Sequence, residues 1–273
     1  MKRFLILCVT YHSYEELKRY VASVDEAVGK SAGEWQVDIC VADNTDKDWK
    51  DISLDVKSVH SVRLFAFHEN LGYFGAVQRM MKDVEHIADY DFVAISNVDL
   101  DMPADFFLKL GSMQFADNVG WVANAILSGL ENRDRNPKIM KRYSEKRLKQ
   151  LRFLFKYPVL HYLYQRTLYL RKRAYASKPA MDIYAGHGSF VLLTRAFVSK
   201  YPLLDYPVFL FCEEIYLAEL CAKAGLVVRY EPSLIVRDTE HCSTGKMRKS
   251  FYYKCNYEAI DYILRTYYVG GCG

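Results

Sequence analysis

The 273-residue chain lacks several features that would assign it to a broad class at once. It has no apolar run of about 18 residues, so the sequence predicts no membrane-spanning helix. The apolar run from Phe4 to Val9 is shorter than the roughly 7–15 residues of a signal peptide and is predicted to be a buried first strand. The seven cysteines are odd in number and show no CxxC spacing, which favours reduced thiols in a cytoplasmic protein over a disulfide or zinc framework.

The common nucleotide-binding and hydrolase motifs are also missing. The glycines of "GHGSFV" do not complete a dinucleotide fingerprint, and Gly29-Lys30-Ser31 lacks the first glycine of a P-loop. Neither HExxH nor GxSxG occurs. The candidates for chemistry that remain are acidic residues.

Positive charge is concentrated in one segment. Residues 131–180 hold 15 Lys/Arg against 3 Asp/Glu, a local charge of +12 within a net charge of +4, so the rest of the chain carries −8. This basic, aromatic segment is predicted to be helical on either side of Pro158. Three interpretations fit it: a solvated helix pair, nucleic-acid binding, or peripheral attachment to an anionic membrane. Since it has no RNA- or DNA-binding motif, we expect no nucleic-acid partner and favour the membrane, with Arg171, Lys172 and Arg173 taking part.

The first hundred residues alternate between apolar strand patterns and amphipathic helix patterns. This order predicts an α/β fold with a mostly parallel sheet and helices on both faces. In such sheets ligands bind beyond the carboxyl ends of the strands. Polar residues follow each predicted strand end: Thr10-Tyr11-His12, Asp43-Asn44-Thr45-Asp46, Glu69-Asn70 and Asn97-Val98-Asp99.

An Asp-x-Asp pair, Asp99 and Asp101, follows the fourth predicted strand. Alternate residues of an extended chain point to the same side, and two carboxylates there suit Mg²⁺ or Mn²⁺ bridging a diphosphate. Two alternatives stay open at this point. Asp99 or Asp101 would cap a helix starting near Met102, and Asp43 would form an Asx-turn.

Several motifs together carry a family resemblance. In chain order they are "VTYHSYEEL", "VADNTD", "NLGYFGAVQRM", "ISNVDLDM", "LLDYPVFLFCEEIYLAELCAKAGL" and His241 before "CSTG". The chain resembles family 2 glycosyltransferases of the GT-A fold, especially the bacterial rhamnosyltransferase-like branch. Each motif alone is weak, but their order and spacing are fairly specific.

The resemblance implies a domain organisation. It predicts one GT-A domain over 1–273 with a mostly parallel, Rossmann-like sheet flanked by helices. Residues 1–130 would form the nucleotide-sugar-binding half and 131–180 a basic helical insertion. Residues 181–273 would form the acceptor-binding half and a C-terminal helix.

The resemblance also implies an inverting transfer of rhamnose or a hexose from a nucleoside-diphosphate sugar. Glu214 would be the base, and Asp99 would hold Mg²⁺ or Mn²⁺ with help from Asp101, Asn97 through water, or His241. Glu213 and His187 would lie near the acceptor. The predicted contacts to the nucleotide sugar are Thr10, Tyr11, Asp43, Asn44, Asn70, Gly72, Tyr73, Gln78 and Asn97.

The expected acceptor is a saccharide or lipid-linked saccharide of a bacterial surface polysaccharide, met at the inner face of the cell membrane, and a homo-oligomer is an open alternative to a monomer. The sequence departs from the family pattern at several positions. Glu214 replaces an aspartate, Tyr216 another aspartate, Leu220 a common arginine, Gln78 a common asparagine and Val98 a proline. The alternative function is therefore a catalytically silent, glycosyltransferase-like scaffold subunit.

Overall fold

The computed structural model describes residues 1–31, 33–46, 58, 60–167, 178–239 and 248–268. The predictions for His241 and for Arg171, Lys172 and Arg173 fall outside these residues. No helix within the described ranges is long and apolar enough to cross a membrane.

Strands and helices alternate through most of the described chain. The strands are β1 (Lys2–Thr10), β2 (Trp35–Asp43), β3 (Ser61–Ala66), β4 (Phe92–Asn97), β5 (Leu100–Asp101), β6 (Val119–Ser128), β7 (Arg133–Asp134), β8 (Met181–Ile183), β9 (Phe190–Thr194) and β10 (Val227–Asp238). The helices are α1 (Tyr14–Gly29), α2 (Tyr73–Asp83), α3 (Phe106–Ser112), α4 (Glu145–Lys156), α5 (Pro158–Thr167), α6 (Arg195–Val198), α7 (Glu213–Lys223) and α8 (Lys249–Tyr267), with a short 3₁₀ turn at Ile87–Asp89.

The strands form one mixed sheet in the order β3-β2-β1-β4-β9-β6-β10-β5, with β7 paired to β6 and β8 to β10. β1, β2, β3 and β4 pair in parallel, as do β6 and β10, whereas β9 runs antiparallel between β4 and β6. These six strands therefore share one direction, which confirms the predicted α/β fold class. Their carboxyl ends and the start of β9 lie at the same edge.

Apolar cores cover both faces of the sheet, which explains the continuous apolar run of β1. Phe4, Ile6 and Cys8 belong to a core with α1 and α3, while Leu5 and Leu7 belong to the core on the opposite face with α2, α6 and α7. Strands buried on both faces need apolar residues at every position rather than at alternate ones.

The helix after β5 corrects one sequence interpretation. It begins at Phe106, with Asp105 at the N-cap position, instead of near Met102. Asp101 lies in β5, and its Oδ2 accepts a hydrogen bond from Arg237 at 3.2 Å. The suggestion that Asp101 caps the next helix is therefore wrong, because its partner is a residue 136 positions away on β10.

The basic segment forms α4 and α5 on either side of Pro158, as predicted. Ser144 caps α4 by accepting a hydrogen bond from the Arg147 amide. α4 packs along α8, and its one buried side chain is Leu148. The insertion is thus anchored through α8.

Candidate active site

Polar groups at the ends of β1 and β2 and in the loop before α2 are bonded to one another. The Asn44 amide donates to the Thr10 carbonyl at 3.0 Å, and Asn44 Nδ2 donates to the Gly72 carbonyl at 2.8 Å. Asn70 Oδ1 accepts the Gly72 amide at 3.1 Å. Four of the predicted nucleotide-sugar residues therefore come together.

Two polar atoms in this group have no hydrogen-bond partner among the described residues, Thr10 Oγ1 and Asn44 Oδ1, and both are buried. Buried polar atoms are usually paired with protein, water or a ligand. A ligand hydroxyl or a water is the kind of group that completes such bonding.

Gly72 is required by a close backbone approach. Its φ is +74°, and a Cβ at this position would lie 2.1 Å from the Phe209 carbonyl oxygen. The next amide, that of Tyr73, donates to the same carbonyl at 3.3 Å. The segment before α7 is thereby held against the first turn of α2, and only glycine fits at the contact.

Asp43 is buried at the end of β2, where both its carboxylate oxygens have partners. Oδ1 accepts the Thr45 amide at 3.0 Å, which is an Asx-turn, and Oδ2 accepts the Tyr14 hydroxyl at 2.9 Å. The turn interpretation is confirmed, and contact of Asp43 with a nucleotide stays a prediction. Nearby, the Tyr11 hydroxyl donates to Asp46 at 3.2 Å. Sequence reasoning missed Tyr14, which carried no signal beyond opening the first helix.

Asp99 is buried beside a second carboxylate that sequence reasoning missed. Burial raises the pKa of Asp99, and repulsion from Asp238 raises it further, while Asn97 and Arg135 act in the opposite direction. Asp238 ends β10 and is itself paired with Arg135. Thr239 ties the two strand ends together, since its amide and hydroxyl donate to the Asp99 carbonyl at 3.1 and 2.9 Å. The signal available was the strand-end rule, which applies to "LIVRD" as it does to "AISNVD".

Asp99 and Asp238 have the oxygen chemistry of ligands for a divalent cation, and the metal contacts expected for Asp99 and Asp101 stay predictions. A cation between Asp99 and Asp238 would remove the repulsion that raises the Asp99 pKa, and oxygen ligands suit Mg²⁺ or Mn²⁺. Asp101 is instead held by Arg237 on a more exposed surface. The described residues contain no cluster of three or more His, Cys, Asp or Glu side chains arranged for a metal. The remaining ligands would therefore be water and ligand oxygens.

A cavity of about 440 Å³ opens beside this pair, where β6 and β10 end. Asp238 and Thr239 line it together with Arg19, Asp101 and Arg237. The buried Asp238, paired with Arg135, thus forms part of the floor of a polar depression of mixed charge.

Glu213 and Glu214 open α7, and their environments differ. Glu213 is buried, and its Oε1 accepts the Phe211 amide at 2.9 Å. Burial, and then the charge of Glu214, raises the pKa of Glu213 to about 8. Glu214 is half-buried, and its Oε2 lies 4.0 Å from the point where a Cβ of Gly188 would stand. Glu214 is therefore the more exposed of the two carboxylates.

The turn before α7 is strained. Phe211 and Cys212 have φ values of +76° and +62°, a left-handed conformation that non-glycine residues adopt at a cost. The Tyr206 hydroxyl donates to the Phe211 carbonyl at 2.5 Å, and the Phe211 amide donates to the Glu213 carboxylate. Both backbone polar groups of Phe211 are therefore hydrogen-bonded. Strain of this kind is often found where a functional side chain must be aimed.

His187 is a neutral hydrogen-bond donor. Its Nδ1 accepts the Ser189 amide at 3.2 Å, so the ring carries its proton on Nε2. Its own amide donates to Asn136 at 2.8 Å. Burial holds the His187 pKa well below its usual range, and the positive charge of Lys138 adds to the effect. The ring therefore offers an N–H to a ligand rather than a base.

Segments far apart in the sequence meet around residues 187–189. The Asn97 amide donates to the Ser189 carbonyl at 2.9 Å, and the Tyr73 hydroxyl donates to the Gly188 carbonyl at 3.1 Å. Glu214 lies against Gly188 from α7. The structure therefore brings the Asp99 strand end, His187, Tyr73 and Glu214 into one region at the carboxyl edge of the sheet.

Gln78 and two residues that depart from the family pattern take part in packing. Gln78 Nε2 donates to the Tyr206 carbonyl at 2.8 Å, so a contact with a nucleotide sugar stays a prediction. Tyr216 is buried, and its hydroxyl accepts the Asp205 amide at 2.8 Å. Leu220 is buried in the core.

Comparison with known proteins finds structures with a similar fold but no protein with a similar sequence among those compared. No protein-family model matches the chain, and no curated protein matches it by sequence. A crystal structure of S. aureus TarS 1-349 aligns with 99% of this chain and 74% of its own length, at a TM-score of 0.54 and 9% identity. The α/β fold of this chain is therefore similar to that of TarS. A second TarS crystal structure aligns with 97% of this chain at the same TM-score and identity, and the chain spans only 44% of it. At this identity the likeness shows the fold alone, and it does not show that the chain belongs to the rhamnosyltransferase-like branch.

Proposed function

We propose that the chain is an inverting, metal-dependent glycosyltransferase that moves a sugar from a nucleoside-diphosphate sugar to a saccharide or lipid-linked saccharide. The observation that carries the proposal is the meeting of the β4 end, through the Asn97 amide two residues before Asp99, and of Glu214 around residues 187–189 in a fold similar to that of TarS. Asp99 would lie on the diphosphate side and Glu214 on the acceptor side.

The transfer needs a base on the acceptor side. Glu214 takes the proton from the acceptor hydroxyl as its oxygen attacks the anomeric carbon. The bond from that carbon to the diphosphate breaks on the opposite face, so the configuration inverts. The buried Glu213 holds the turn that aims Glu214.

The leaving diphosphate needs positive charge and hydrogen-bond donors. Asp99 and Asp238 would hold Mg²⁺ or Mn²⁺, which when bound stabilises the negative charge that develops on the diphosphate. His187 would donate its Nε2–H to a donor or acceptor oxygen. Asn44 and Asn70, tied to Gly72, would fix the loop that faces the nucleotide.

We extend the proposal to bacterial surface polysaccharide synthesis on the cytoplasmic face of the membrane, with rhamnose or a hexose as the donor sugar. Its support is the motif resemblance together with the fold shared with TarS. A catalytically silent scaffold is the alternative. Two of the departures that motivated it, Tyr216 and Leu220, are buried core residues here.

The test is product formation from nucleotide sugars with Mn²⁺ or Mg²⁺, followed by the anomeric configuration of the product. We expect Glu214→Gln to lose at least about 100-fold in kcat while still binding the donor, which is typical of a lost general base. Glu85→Gln, an exposed carboxylate outside the site, is the matched control and should keep full activity. A wild-type protein that binds the donor but transfers nothing to any acceptor favours the scaffold.

A further inference from the structure

The outward side of α5 is apolar. Val159, Tyr162, Leu163 and Arg166 are spaced i, i+3, i+4 and i+7, so they share one side of the helix. Val159 is 73% exposed, and Tyr162 and Leu163 are each 51% exposed. This spacing normally marks the side of a helix that packs against a core. Here the stripe points into solvent.

The inward side of α5 is held by a polar contact instead. His161 is buried, its Nδ1 lies 3.0 Å from the Tyr253 hydroxyl of α8, and its ring centroid lies 4.8 Å from that of Phe155. The Tyr164 hydroxyl accepts a hydrogen bond from Arg147 of α4 at 3.1 Å. The orientation of α5 is thus fixed by specific contacts, and Val159, Tyr162 and Leu163 do not belong to either described core.

Two aromatic residues at the end of α4 are exposed as well. Phe153 and Tyr157 are both exposed, with ring centroids 4.9 Å apart. We call the whole surface the α4–α5 face, and it consists of Phe153, Tyr157, Val159, Leu160, Tyr162 and Leu163. Monomeric proteins seldom expose large apolar side chains in such a contiguous group without a partner.

The charge around the α4–α5 face is mostly positive, although Lys149 pairs with Glu145 and Arg152 pairs with Asp261 of α8, each at 2.6 Å. The sequence has no Asp or Glu between Glu145 and Asp182, and residues 146–167 hold six Lys or Arg. Lys156 Nζ lies 5.7 Å from the Tyr157 ring, and Arg166 Cζ lies 5.0 Å from the Tyr162 ring. Cations therefore stand directly beside the exposed aromatic residues.

We propose that the α4–α5 face lies on an anionic lipid surface, with its apolar side chains at the acyl boundary and its cations at the headgroups. Exposed apolar and aromatic side chains flanked by Lys and Arg have the chemistry of interfacial helices. A second copy of the chain fits less well, because a symmetric contact would bring Lys156 and Arg166 of two copies, which stand beside the exposed aromatic rings, close together. The phosphates of a nucleic acid would bind the cations, but they would make no favourable contact with the exposed apolar side chains of Val159 and Leu163. The inference does not depend on the proposed transferase activity.

The test is flotation of the full chain with vesicles of phosphatidylcholine, alone or mixed equally with phosphatidylglycerol. We expect binding to the mixed vesicles only, and weaker binding as salt rises. Replacing Lys146, Lys156 and Arg166 by Gln should weaken binding about fivefold for each cation, or on the order of 100-fold together. Val159→Ser with Leu163→Ser should weaken it by at least about tenfold with the charges intact.

Matched controls are Lys82→Gln and Leu108→Ser, which change exposed residues outside the α4–α5 face and should bind like the wild type. The residues changed are exposed, so thermal unfolding should be unchanged in every variant. Absence of binding to the mixed vesicles overturns the proposal, as does equal binding to both vesicle types. Self-association that Val159→Ser with Leu163→Ser abolishes, or RNA binding that survives it, would assign the face to another occupant and also overturn the proposal.

Discussion

Replacing Glu213 by Gln should make the protein more stable, and increasingly so as the pH rises. Glu213 is buried at the start of α7, and its Oε1 accepts the Phe211 amide. Gln keeps an oxygen for that hydrogen bond and is nearly the same size. The substitution therefore removes the ionisation of Glu213 and little else.

The sign and size follow from the pKa. Burial and the charge of Glu214 raise the Glu213 pKa from 4.5 to about 8 in the folded chain. Between these values the folded state holds a proton that the unfolded state has released, so the free energy of unfolding falls as the pH rises and levels off above pH 8. At about 1.36 kcal/mol per pH unit, the loss between pH 5 and pH 8 is roughly 4 kcal/mol. Because Gln has no ionisable group, the unfolding free energy of Glu213→Gln does not fall with pH for this reason.

The assay is urea unfolding of the wild type, Glu213→Gln and the exposed control Glu85→Gln across this pH range. We expect the difference in unfolding free energy between Glu213→Gln and the wild type to grow with pH, and the control to follow the wild type. A difference that stays constant from pH 5 to pH 8 would show that Glu213 is already ionised in the folded protein and would refute the reasoning.

Three further substitutions test individual contacts, two at the site and one between Arg142 and Glu219 of α7, and each is measured by urea unfolding. Gly72→Ala should destabilise the fold by about 2–4 kcal/mol, because its Cβ meets a backbone carbonyl at 2.1 Å and its φ is positive; a neutral result would mean that this contact is absent. Arg142→Ala should cost about 2 kcal/mol, less than the roughly 3–5 of a fully buried pair, because Arg142 is 45% exposed while Glu219 is 7% exposed. Adding Glu219→Gln to Arg142→Ala should recover part of that cost. Tyr14→Phe should lower the unfolding free energy by about 1 kcal/mol, because it removes the hydroxyl that donates a hydrogen bond to buried Asp43. It should also weaken binding of the nucleotide sugar if the end of β2 faces the nucleotide.

The sequence was sufficient for the first four strands of the sheet, β1 to β4, because its signals there are local, whereas the central strand β6 was not predicted. Continuous apolar runs marked strands buried on both faces, and polar residues after them marked the carboxyl edge. Asn44, Asn70 and Gly72 could be assigned to one region because parallel strands bring their ends together. The same rule predicted that Asp99 would lie near the other strand ends.

What sequence reasoning missed depends on partners far away in the chain. Asp101 looked equivalent to Asp99, but its partner Arg237 is 136 residues distant, and Asp238 instead stands beside Asp99. The strand containing Asp238 lies across β6 from β9, an order that alternating patterns do not determine. The outward orientation of α5 likewise follows from the contact between His161 and Tyr253, which no helical periodicity reveals.

The central claim is that the carboxyl edge of the sheet binds a nucleotide sugar with a divalent cation held by Asp99. The most direct measurement is unfolding of the wild type and Asp99→Ala with nucleoside-diphosphate sugars, with and without Mn²⁺. A donor at 100 times its dissociation constant should add about 2.7 kcal/mol to the unfolding free energy of the wild type. We expect that gain to need Mn²⁺ and to disappear in Asp99→Ala. A full gain in Asp99→Ala, or no gain for any donor in the wild type, would contradict the account.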